Sequence, residues 1–207
     1  RLLATAQLRN NKIEAAEAGY RKALDLCLLL NNNKGIAEAK AGLAGVYFIR
    51  GNYSQSEKLL IQAIEIYPQN ASALRLAVLY SDLGQVYGQM KKWSDAENAL
   101  LYADTLCCQH EYEKGEAEVK NTLGEVYYFQ GKNQQARIMF RKAAQLFYVN
   151  EDEVSFANAL QYLAFLAMEE DAAEEALQFQ YRVICLYLKH RLTKELSESY
   201  YFLSNTM

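Results

Sequence analysis

The stretch EVKNTLGEVYYFQGKNQQARIMFRKAAQLF, residues 118–147, decides the fold. Val119, Leu123, Val126 and Tyr127 step along it by threes and fours, and Ala136, Phe140, Ala143 and Phe147 do the same beyond Gly131-Lys132. Such spacing puts each set on one stripe of an α-helix, and the glycine between them marks a turn. The segment reads as two amphipathic helices joined as a hairpin.

The same pattern recurs outward in both directions on a ruler of 40 residues. Leu3, Leu43, Leu83, Leu123, Leu163 and Leu203 keep one column; Ala37, Ala77, Ala117 and Ala157 keep a second. Ala16, Ser56, Ala96, Ala136 and Ala176 form a third, and Ala23, Ala63, Ala103 and Ala143 a fourth. Small residues at fixed columns let helix backbones approach, while the large residues beside them fill the groove. First helices are expected over 34–50, 71–90, 113–130, 153–170 and 193–207, and second helices over 13–30, 53–67, 93–109, 133–149 and 172–190. With a stub at 1–10 that makes about eleven helices. The turn inside each hairpin is marked by Gly51-Asn52, Lys91-Lys92 and Gly131-Lys132. A longer return between hairpins is expected at 31–35, 68–70 and 150–152.

Composition narrows the function. The 207 residues include one proline and are 51% hydrophobic, enough for a continuous core. A net charge of −3 gives no basic field of the kind phosphate-backbone binding needs, so nucleic acid is not an expected partner. The charge is uneven: residues 101–207 hold ten basic and 16 acidic residues, net −6, so a partner meeting that half should be neutral or basic there. No apolar run reaches the roughly 18–20 residues of a membrane span. Cys27, Cys107, Cys108 and Cys185 lie in helical apolar stretches without C-x-x-C spacing, and read as reduced core thiols of a cytoplasmic protein. No nucleophile, phosphate-loop or H-E-x-x-H motif is present, which points to a non-enzyme without cofactor or metal. The acidic clusters around 111–113, 151–153 and 169–171 fall at expected helix ends, where capping explains them. The run Leu74–Tyr80 is apolar nearly all round, which fits a helix flanked on both sides, the preferred reading, or an exposed apolar patch used in dimerisation.

Tyr80-x2-Leu83-Gly84-x2-Tyr87, Leu123-Gly124-x2-Tyr127 with Ala136-x3-Phe140, and Leu43-Ala44-x2-Tyr47 with Ser56, Leu60, Ala63 and Pro68 resemble the tetratricopeptide repeats. The resemblance covers the whole chain and is strongest over 35–150. A 40-residue period is similar to that of the Leu-Gly-Asn repeat adaptors, the MalT-like domain of the maltose-regulon activator and the Rap- and PlcR-type regulators. It implies an all-α, right-handed α-solenoid in a single domain, with repeats near 1–33, 34–70, 71–112, 113–152 and 153–192 and a partial one at 193–207. Both ends read as cut within a helix, so further repeats or another domain are expected.

The resemblance also implies a concave groove lined by the first helices. Carried over column by column, the partner-binding candidates are Phe48, Ser81, Gln85, Asn121, Glu125, Tyr128, Gln161 and Phe165. Amides on such a face can hydrogen-bond an extended peptide while the rings supply apolar pockets. Co-chaperones of the family grip acidic chaperone tails with cations, but the matching positions here are Ala41, Gly45, Asp82, Thr122 and Glu118, which argues against that partner. The expected function is a protein-interaction scaffold binding a peptide segment or helix of a partner, with a homo-oligomer left open. The alternative is a ligand- or peptide-sensing regulatory domain of a larger, bacterial signalling or transcription-regulating protein.

Overall fold

The computed structural model describes residues 13–67, 73–192, 195–197, 199–200 and 203. Nine helices have described bounds: α1 Ile13–Leu29, α2 Asn33–Ile49, α3 Tyr53–Ile66, α4 Ala73–Gln89, α5 Trp93–Gln109, α6 Glu113–Phe129, α7 Asn133–Val149, α8 Glu153–Glu169 and α9 Ala173–Lys189. Residues 195–197, 199–200 and 203 are also helical. No strand occurs among the described residues. The all-α, helix-turn-helix repeat expected from the 40-residue ruler is the architecture the chain adopts. The expected stub at 1–10, Leu3, and Pro68-Gln69-Asn70 lie outside the described residues.

One expectation needs correcting. Where its residues are described, the return between hairpins is no longer than the turn within one: both are three residues, as at 50–52 and 110–112. Eight of the nine helices are 17 residues long, so a helix plus a three-residue turn, taken twice, makes the period. The residues by which 40 exceeds the usual 34 lengthen the helices rather than the loops.

The backbone explains the equality. Every described turn carries one residue in the left-handed region, 20 or 40 positions from the next: Asn31, Gly51, Lys91, Glu111, Gly131, Glu151, Asp171 and Arg191. Around each, the same two hydrogen bonds close the preceding helix. Asn52 N–H reaches Tyr47 O at 2.9 Å and Gly51 N–H reaches Phe48 O at 2.9 Å, while Asp152 and Glu151 bond Phe147 O and Tyr148 O at 2.9 and 3.2 Å. This is the Schellman closure, which satisfies carbonyls the helix leaves open and reverses the chain. The next helix then starts on a side-chain cap where Asn32, Asn52 or Asp152 accepts from the N–H of Gly35, Gln55 or Ser155.

The chain forms two compact units, residues 1–106 and 107–207. In the first, α1 to α4 pack in sequence order around Ala37, Ala41, Ala44, Leu60, Ala63, Tyr67, Leu79, Leu83 and Val86. Ser56 takes the place of an alanine and donates to Ala44 O at 2.8 Å, so its hydroxyl is satisfied where it is buried. Leu74–Tyr80 presents no exposed side chain; Leu76 lies on the core and Tyr80 is edge-on to Tyr102 at 4.6 Å, as a helix covered on both sides requires.

In the second unit α6 to α9 pack likewise, around Ala117, Leu123, Ala136, Phe140, Ala143, Ala157, Leu163, Ala176 and Val183. Gly124 lies under the Phe140 ring: a Cβ there would meet ring atoms at 2.7 Å. In the first unit Gly84 has the same relation to Leu100. Ala23 alone of its column is exposed. The cysteines also depart from expectation: all four are free, but only Cys107 is buried, Cys27 being half-buried and Cys108 and Cys185 exposed.

Candidate partner-binding face

The candidate residues of the first unit sit on α2 and α4. Phe48 packs against the core cluster and meets Tyr53 edge-on at 5.6 Å, so much of its ring serves helix packing. Ser81 is buried at 7% exposure. Gln85 is half-exposed, and Gly45 on the matching column of α2 faces open space. Of the unit's candidates, Gln85 is the polar side chain best placed to meet a partner.

The second unit carries the denser group. Asn121, Glu125 and Tyr128 follow one another along α6 at helical spacing, and all three are half-buried. Asn121 Nδ2 donates to Glu125 Oε1 at 2.9 Å, while Asn121 Oδ1 is buried with no hydrogen-bond partner. Burial pushes the Glu125 carboxyl up to about 7, against the lowering effect of the Asn121 hydrogen bond. Tyr128 Oη donates to Glu169 Oε1 at 2.8 Å, and Asn133 holds the other oxygen at 2.9 Å. Burial, then the hydrogen bond and charge of Glu169, raise the Tyr128 phenol to about 12.

On α8 the rings gather around a residue that sequence reasoning missed. Tyr162 stacks on Phe140 at 4.6 Å, and meets Tyr128 at 5.8 Å and Phe165 at 6.1 Å edge-on. Its phenol is pushed upward by burial and then by the nearby charge of Glu125. Its column holds Gly42, Asp82 and Thr122, so the ruler carried no aromatic signal; only its three-residue spacing to Phe165 hinted at a shared face. Gln161 instead turns to its own unit. It exchanges hydrogen bonds with Gln180, donating at 3.1 Å, and accepts from Ser199 Oγ at 3.0 Å. Gln180 is wholly buried in the column of Leu60, Leu100 and Phe140, and its amide also donates to Ser199 O at 3.0 Å.

Several of the acidic residues near the helix ends find structural partners. Glu153 accepts from Lys189 and His190, Arg137 pairs with Glu170 and Glu175, and Arg141 with Glu175. Asp152 caps α8.

Residues 35–103 match the tetratricopeptide repeat family. Among curated proteins the sequence has no match. Solved structures share the fold at low identity. BtubC (BKLC) from P. vanneervenii is 17% identical with a TM-score of 0.79, the match covering 94% of this chain and 82% of that one. Aspartyl phosphate phosphatase F from Bacillus subtilis is 17% identical with a TM-score of 0.87, over 99% of this chain and 54% of its own, so the chain spans about half of that protein. A putative kinesin light chain from Podosopora anserina with nearly identical TPR-like repeats is 14% identical, TM-score 0.70, over 92% and 94%. No helix among the described residues is long and apolar enough to cross a membrane. The family match lies inside the first unit, and the same 20-residue helix-and-turn module continues through the second, so the chain has the tetratricopeptide-repeat fold.

Proposed function

We propose that the chain is a non-catalytic protein-interaction scaffold that holds a peptide segment or helix of a partner against its first helices. The observation that carries this reading is the α6–α8 face, where half-buried rings stand near the Glu125 carboxyl and beside it the amide oxygen of Asn121 is buried without a hydrogen-bond partner. A buried acceptor without a donor costs about 1–3 kcal/mol, and a partner that supplies the donor recovers it. Gln85, half-exposed on α4, is the first unit's own candidate contact. Affinity capture from a lysate of the native host tests it, with the wild-type chain beside the Gln85→Ala, Glu125→Ala double variant. The expected result is a protein held by the first and lost from the second at unchanged helicity; equal capture by both would remove these residues from the interface.

A ligand-sensing role in a larger regulatory protein is the second reading. The convergence of Asn121, Glu125, Tyr128 and Tyr162 favours it, since polar groups gathered among rings also suit a small ligand. Retention of metabolites or free short peptides, with no protein captured, would support that role over the scaffold.

A further inference from the structure

Glu125 is buried and faces no cation among the described residues. In the second unit, Glu116, Glu153, Glu170 and Glu175 each face a lysine, arginine or histidine. Glu125 has Asn121 alone, and the lysine next to that residue in sequence, Lys120, is buried and committed to Glu116 at 3.2 Å. Burying a carboxylate without a cation is costly, and burial has already raised its proton affinity. Beside it the amide oxygen of Asn121 is a buried acceptor with no donor. Three rings stand close: Tyr128 one turn further along α6, Tyr162 near enough to feel the Glu125 charge, and Phe165 edge-on to Tyr162. The groups provide acceptors, negative charge and aromatic faces. They ask for a donor that is cationic and flat.

We propose that Glu125, Asn121, Tyr128, Tyr162 and Phe165 form a subsite for the guanidinium of an arginine carried by the partner peptide. This rests on the peptide-binding reading above and names the residue that peptide must present. A guanidinium donates through a planar fork, stacks on aromatic faces and sheds water more easily than an ammonium, which suits a half-buried site with two acceptors on successive turns of one helix. The net charge of −6 over residues 101–207 favours a basic segment over an acidic one at this half of the chain.

The test is selection of peptides from a displayed library of random dodecapeptides against the full chain, followed by isotherms for the best binders. Each binder is measured against the wild type and Glu125→Gln, and as synthetic forms with the selected arginine changed to lysine or to citrulline, its neutral isostere. Glu125→Gln keeps the shape of the side chain, and thermal melting checks that it folds. The expected result is binders enriched in arginine, weakened on the order of 30-fold or more by Glu125→Gln and by citrulline, and less by lysine. Binders without arginine enrichment, or ones indifferent to Glu125→Gln and citrulline, would overturn the arginine subsite while leaving peptide binding standing. Binders that prefer lysine would replace the guanidinium with an ammonium and overturn it as stated. A selection that yields no binder at all would overturn both readings.

Discussion

Single residues divide here by what stands over them. Gly45 and Gly124 are both helical glycines, yet a Cβ at Gly45 meets nothing within 4 Å while one at Gly124 runs into Phe140, which is wholly buried and cannot move aside. Gly45→Ala should therefore raise stability by about 0.5–1 kcal/mol through helix propensity, whereas Gly124→Ala should lower it by about 1–3 kcal/mol through overpacking. Chemical denaturation of the two variants reads both signs.

Glu125 adds a dependence on pH. Its carboxyl titrates near 7 in the folded chain against 4.5 in the unfolded one. Below the lower value both states hold the proton. Between the two, the folded state keeps a proton that the unfolded state has released, so stability falls as pH rises through that window and levels off above it. Glu125→Gln should be close to wild type at pH 4 and more stable by about 1–3 kcal/mol at pH 8, as measured by urea unfolding at each pH. A candidate position such as this was legible from the sequence because the column offset placed it on the first-helix face. Its missing cation was not, since that depends on which side chains the neighbouring helices bring to it.

At the scale of the element, the unit of construction is a 17-residue helix closed by a left-handed residue. Glycine serves at 51 and 131, but Glu151 and Asp171 hold the same conformation with a Cβ, at a cost of about 1–2 kcal/mol each. Glu151→Gly should thus raise the melting temperature, and Gly131→Ala should lower it. Capping gives a second pair: Asp152→Ala should cost about 1 kcal/mol, and Ala172→Asp, at a helix start without a side-chain cap, should gain a similar amount. Helix positions were readable to within a residue or two because apolar spacing fixes them. The equal turns were not, because Glu111, Glu151 and Asp171 look like loop or capping acids until their backbone is seen, and nothing in their side chains announces a left-handed turn. Gln180 escaped for a related reason: its column of large apolar residues predicts burial, but its partners Gln161 and Ser199 are each 19 residues away, on other helices.

For the whole molecule, repetition settles the fold and leaves the job to the departures from it. Leu43, Leu83, Leu123 and Leu163 recur and are buried, so they say that helices stack and nothing more. The columns around them vary from Gly45 to Gln85, Glu125 and Phe165, and that variation along the first helices is where a partner would be read. Photo-crosslinking measures it directly. p-Benzoylphenylalanine would be placed singly at Gln85 and Phe165 on first helices, and at the exposed Ile138 and Tyr181 on second helices, and each chain irradiated in native-host lysate. If the first helices form the binding face, a common partner becomes covalently attached from Gln85 and Phe165 and not from Ile138 or Tyr181. Attachment of that partner from Ile138 and Tyr181 alone would contradict it.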